Sequence, residues 1–183
     1  IVHRGLLPEI SHAWLSIDNL LYLWSYESTP SAISPRYVSY TKAAADAAGE
    51  IKNAIMSLAL VTPKANTFSS RVEYVLAVST QVEVHLLAIT RSPDGTGIVI
   101  LPTKYHIVTD GVHMKKMVGS RSGRIFMAGD DGNLHELRYE NDSQKIVPWG
   151  NDFKCQKYYY TNWSYITPPS FLLSIFNWDD SLV

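Results

Sequence analysis

An all-β fold assembled from β-propeller-like repeats is what this sequence predicts, on three observations. An apolar strand, a tight polar turn and a second apolar strand recur three times along the chain. The turn centres, near residues 19, 81 and 131, lie 62 and 50 residues apart, each gap one repeat of about 40–50 residues plus an insertion. Aromatic side chains make up 11% of the 183 residues, eleven of them Tyr and five Trp, a load that suits pleated, half-buried surfaces.

The first hairpin runs from His12 to Ile17, turns at Asp18-Asn19 and returns from Leu20 to Trp24. Asx residues tolerate positive φ and favour such two-residue turns. The second pairs Tyr74 to Val78 with Glu83 to Ile89 around a turn near Thr80-Gln81. The third pairs Arg124 to Ala128 with Asn133 to Tyr139 around Gly129-Asp130-Asp131-Gly132, the strongest turn signal of the three. Its second strand, Leu134-His135-Glu136-Leu137-Arg138-Tyr139, mixes charge with hydrophobes and predicts one wet face. Residues 54–61 and 113–118 precede the second and third hairpins and are expected to be innermost strands, with 98–101, 105–108 and 155–160 as outer ones. The Ala-rich insertion at about 42–51, closed by Gly49, predicts a short helix. Two to three blades result. A closed propeller needs about four or more, and the chain opens on Ile1, so residues 1–183 are expected to be part of a larger ring.

Catalytic and nucleic-acid classes find no support. Sixteen basic residues balance seventeen acidic ones, which leaves no basic stripe for a phosphate backbone. Cys155 is the only cysteine, so neither an intrachain disulfide nor a Cys-based zinc site is expected, in keeping with a reducing compartment. No phosphate-binding glycine loop or nucleophile elbow is present. His12, His85 and His135 fall in strands, each at a different point of its repeat, and read as half-buried strand residues. Asp130-Asp131-Gly132-Asn133 lacks the spaced ligands of a calcium loop. Its aspartates are expected to act only through the turn, so that asparagine replaces both silently. Ser120-Arg121-Ser122-Gly123-Arg124 has a phosphate-binding composition but reads as a polar inter-strand loop. No cofactor and no enzymatic activity are expected.

The segment at about 164–178 is too apolar for an ordinary loop. Wound as a helix, it gathers Phe171, Leu172, Ile175, Phe176 and Trp178 on one face, opposite an uncharged face of Ser170, Ser174 and Asn177. Such a helix is expected to enter a bilayer by apolar insertion with little help from anionic lipid. A buried core helix or another strand is the alternative.

Two stretches resemble one family. Residues 5–18 (GLLPEISHAWLSID), followed by Leu23-Trp24-Ser25-Tyr26-Glu27, are similar to the opening blade of the large inner-ring scaffold nucleoporins. Residues 123–134 (GRIFMAGDDGNL) resemble that family's signature hairpin, with residues 60–64 and 74–78 in the matching order. The resemblance implies a seven-bladed N-terminal β-propeller and a structural role in the inner ring of the nuclear pore complex, supporting transport of protein and RNA. It further implies residence at the nuclear envelope, other scaffold and linker nucleoporins as partners, and a membrane-binding loop where residues 164–178 stand. Nuclear membrane lipid and pore membrane proteins then become expected contacts, and direct nucleic-acid binding does not. A soluble propeller adaptor binding peptides or proteins in a coat or signalling assembly is the competing reading. It would fold residues 171–178 into the core.

Overall fold

A computed structural model of the chain describes residues 1–27, 37–39, 51–65, 67–93, 97–103, 105–141 and 153–160; for 37–39, 140–141 and 153–160 it gives strand pairing alone. Three antiparallel sheets follow one another along the chain. The first contains β1 (Val2–Leu7), β2 (His12–Ile17), β3 (Leu20–Ser25) and β4 (Tyr37–Ser39) in that spatial order. The second contains β5 (Ile55–Val61), β6 (Tyr74–Thr80), β7 (Glu83–Arg91) and β8 (Ile98–Leu101), with β9 (His106–Val108) also on β7. The third contains β10 (Met114–Gly119), β11 (Ile125–Gly129), β12 (Leu134–Asn141) and β13 (Phe153–Tyr160). Each sheet is one propeller blade, so the two to three blades expected resolve to three. Each predicted hairpin forms strands two and three of its blade.

The turns hold for the chemical reasons read from them. Asp18 takes φ 51° in the first. In the second, the Thr80 hydroxyl oxygen accepts the N–H groups of Val82 and Glu83, which moves the turn to Gln81-Val82. In the third, Gly129 N–H donates to Asn133 O and Gly132, at φ 75°, donates to Gly129 O. The loop joining β10 to β11 repeats this pattern, with Gly123 at φ 82° and Ser120 N–H on Arg124 O. The loop 120–124 is thus a built turn, and Ser120 Oγ accepts the Arg124 N–H within it.

β5 and β10 are the first strands expected of them and lie side by side. β1 was not foreseen: Arg4 and Gly5 break its apolar run, and a 3-10 turn at Pro8–Ile10 follows it in place of an Asx or Gly hairpin turn. The segments at 98–101 and 105–108 do not make two successive outer strands. Split at Pro102, they pair with the two halves of β7 and together make one fourth strand. The predicted helix at 42–51 lies, except for buried Ile51, outside the described residues.

Counted from each hairpin turn, the third cross-strand row reads Arg4–Leu15–Tyr22 in blade one. It reads Leu58–Val78–His85 in blade two and Met117–Met127–His135 in blade three. Cross-strand partners share a face and successive residues alternate, so odd rows face the preceding blade and even rows the next. The first core joins Leu7, Trp14, Leu21 and Leu23 of blade one to Leu58, Leu76, Val78 and Leu87 of blade two. The second joins Ala59, Val75, Ala77 and Leu86 to Met117, Ile125, Met127 and Leu137. A bulge after the first residue of the inner strand recurs in blades two and three. The histidine expectation changes here. His85 and His135 occupy the same row of the repeat; only His12, at the start of a second strand, stands elsewhere.

Candidate functional site

His85, His135, Asp130 and Asp131, which invited a catalytic or metal reading, are instead paired with neighbouring side chains of their own blades, and His12 Nδ1 lies against the Ile10 backbone oxygen. His135 is fully buried, and its Nε2 lies 3.1 Å from both carboxylate oxygens of Asp131. Asp131 also accepts the Asn133 backbone N–H and side-chain amide. Asp130 accepts the His113 N–H at 3.0 Å, with His113 Nδ1 at 3.0 Å from its other oxygen. His85 Nε2 stands 3.0 Å from Glu83 Oε1, with the His106 ring 5.8 Å from its own. Burial lowers the His85 pKa; Glu83 pulls it back up, and His106 adds to the lowering. The buried imidazole is therefore neutral at pH 7.

Two expectations are corrected. The second strand of the third hairpin has no wet side: His135 and Glu136 are both buried. Glu136 receives the Arg124 guanidinium at 2.7 and 3.0 Å and Arg138 at 3.3 Å, which lets a carboxylate sit in the sheet. The aspartates, in turn, do more than form the turn. Burial alone would raise the Asp131 pKa, but hydrogen bonds from Asn133 and His135, with the His135 charge, carry it down to about 2. A carboxyl held below its usual value stabilises the fold above pH 4 and loses that contribution as pH falls from about 4 towards 2. Asp131→Asn should therefore cost about 1 kcal/mol and flatten this acid limb, whereas Asp130→Asn should leave it in place. Melting temperature against pH, between 2 and 6, distinguishes the two.

Among the described residues no group of three His, Cys, Asp or Glu side chains could hold a metal ion. No described helix is long and apolar enough to cross a membrane. Phe171, Leu172, Ile175, Phe176 and Trp178 lie outside the described residues, as does the whole segment 164–178. What remains is a stacking architecture: three blades locked face to face by two apolar cores and by hydrogen bonds across the seams. Ile55 N–H donates to Asp18 O and Asn19 Nδ2 to Ile51 O between blades one and two, and Ser57 Oγ donates to Met114 O between two and three. The sequence signal for these seams was weak, because a seryl hydroxyl or an asparagine amide is identifiable as a clasp only once the blades are stacked.

The whole chain, residues 1–183, matches the nucleoporin N-terminal family model described as Nup133 N terminal like. The chain belongs to this family. Among nucleoporins similar to it, the nuclear pore complex protein Nup154 of Drosophila melanogaster is 34% identical over 76% of the chain and 9% of its own length. Nucleoporin NUP170 of Chaetomium thermophilum is 30% identical over 90% of the chain and 11% of its own length. NUP170 of Saccharomyces cerevisiae is 30% identical over 84% of the chain and 9% of its own length. The crystal structure of the Chaetomium thermophilum Nup170 NTD–Nup53 complex superimposes with a TM-score of 0.68 at 28% identity, over 88% of this chain and 21% of that one. The chain thus spans about a tenth of the curated nucleoporins it matches, and its three blades are part of a nucleoporin β-propeller.

Proposed function

We propose that this chain forms part of the β-propeller of a non-enzymatic scaffold nucleoporin in the inner ring of the nuclear pore complex, held at the curved nuclear envelope. The match of the entire chain to the nucleoporin N-terminal family carries the reading. The architecture supports it: the buried Glu136, His85 and His135 of the described blades are each paired with a neighbouring side chain, as suits a rigid platform. The structural neighbour was crystallised with Nup53, so another nucleoporin is the partner proposed for this protein.

Membrane contact is assigned to residues 164–178. Five apolar side chains on one helical face, Phe171, Leu172, Ile175, Phe176 and Trp178, offer a gross gain of about 10 kcal/mol when buried. Ordering the segment offsets much of it, at about 1–2 kcal/mol per residue. Single loops therefore bind weakly, and many copies in a ring bind well. The full propeller should float with small liposomes more than with large ones, and about equally at low and high salt. A folded Phe171→Asp, Phe176→Asp variant should float several-fold less and, in the full-length protein, lose part of its enrichment at the nuclear rim. Flotation equal to the parent's would exclude membrane anchoring, and absence of the parent from the rim would exclude the pore assignment.

A further inference from the structure

The outer face of the first blade is apolar and open. Val2, Leu6 and Ile17 are 62%, 66% and 41% exposed, and Leu15, Leu20, Tyr22 and Trp24 are partly exposed beside them. All seven stand in odd rows of the repeat, the rows that in blades two and three are buried against the preceding blade. One residue breaks the pattern. Arg4 occupies the third-row position held by buried Leu58 and Met117 in the other blades, with Leu15 and Tyr22 in its row. It is exposed, and among the described residues its guanidinium has no ion pair or hydrogen bond.

We propose that a four-stranded sheet of the same polypeptide, lying outside residues 1–183, covers this face and carries a carboxylate opposite Arg4. The covering sheet rests on the propeller reading; the carboxylate is the new element. Continuity with the two seams already formed names the occupant, since each packs an odd-row face of one blade on an even-row face of another. The charge of Arg4 names the chemistry. A guanidinium sealed under an apolar sheet without a counter-charge is strongly unfavourable, and its planar donors match a carboxylate held by two parallel hydrogen bonds. A single ion pair in an otherwise greasy seam also fixes which strand lies over β1, because any other register would bury Arg4 against hydrocarbon.

The test uses the full-length protein carrying Arg4→Lys, treated with a zero-length carbodiimide that joins an amine to a carboxylate only when the two are in contact. Mass spectrometry should find position 4 joined to an Asp or Glu outside residues 1–183 in the monomer. Hydroxyl-radical labelling should find Leu6 and Trp24 shielded. Arg4→Asp should lower the melting temperature, and exchanging the mapped acid for lysine should recover it. A cross-link to an acid within residues 1–183 or to a second copy would overturn the proposal. So would no cross-link despite shielding, or no recovery on charge exchange; the propeller reading survives each of these four outcomes as long as Leu6 and Trp24 are shielded. Leu6 and Trp24 labelled as heavily as in the isolated 183-residue chain would instead defeat the covered face and the propeller reading together.

Discussion

Gly119→Ala should open the seam between the second and third blades and cost about 2–3 kcal/mol, and Gly119→Val should cost more. A Cβ at Gly119 would stand 2.3 Å from the Leu60 carbonyl oxygen and 2.7 Å from Val61 Cβ. The nearest of these is backbone of β5, so relief requires β5 and β10 to separate and not merely a side chain to rotate. Overpacking of a formed core has this size of cost. Two other glycines calibrate the effect. Gly132 sits at φ 75° with open space around its missing Cβ, so Gly132→Ala should cost only about 1–2 kcal/mol of backbone strain. Gly97 has open space and no positive φ, so Gly97→Ala should be nearly silent. Hydrogen exchange in the full-length protein should show amides of β5 and β10 exchanging faster in the Gly119 variants alone. Unchanged protection there would mean that the two strands are not in contact.

The hairpins were legible because each is a local event. Asp18-Asn19 and Gly129-Asp130-Asp131-Gly132 specify a turn whatever the rest of the chain does, and the flanking apolar runs specify strands. β5 and β10 were legible as apolar runs placed one strand ahead of a hairpin. β1 was not: Arg4 and Gly5 stand in the middle of it, and each has a reason that appears only in three dimensions. Gly5 lies beneath the Trp14 indole, where a Cβ would come within 2.7 Å of Nε1. Arg4 belongs to a seam that these three blades do not complete.

Charged strand residues misled in the same way. Leu134-His135-Glu136-Leu137-Arg138-Tyr139 has the pattern of a half-wet strand, yet His135 and Glu136 are buried. Their partners come from a turn residue four positions before His135 and from Arg124, in the loop just ahead of the neighbouring strand β11. Periodicity reports average polarity along one strand and is blind to neutralisation across strands. The shared row of His85 and His135 was legible in spacing alone: the two stand 50 residues apart, as their turn centres do, and each lies four residues past its own turn centre.

Tyr139→Ala should be among the most damaging truncations in these blades, at about 3–5 kcal/mol, because the ring joins elements from both sides of one seam. Tyr139 is fully buried on β12, 6.0 Å from the Phe68 ring, and Phe68 in turn meets Tyr105 edge-on at 5.9 Å. Phe68 lies in the connection from β5 to β6, and the ammonium of Lys64 from that same connection stands 5.5 Å from the centre of the Tyr139 ring. Removing the ring would leave a cavity and deprive Lys64 of its aromatic contact. Tyr139→Phe separates the hydroxyl from the ring. Burial raises the Tyr139 pKa to about 12, against the opposing pull of a hydrogen bond with the Lys64 backbone. A group whose folded pKa is raised stabilises fully below its unfolded value and loses that contribution as pH climbs through the folded one. For Tyr139 that window runs from about pH 10 to about pH 12. Stability of the parent should fall across it, the Phe variant should fall less steeply, and the Ala variant should begin several kcal/mol lower at pH 7. Denaturant melts of the full propeller at pH 7, 10 and 11.5 supply the comparison. A Phe variant as alkali-sensitive as the parent would remove the hydroxyl from this account, and an Ala variant within 1 kcal/mol of the parent would remove the ring from the seam.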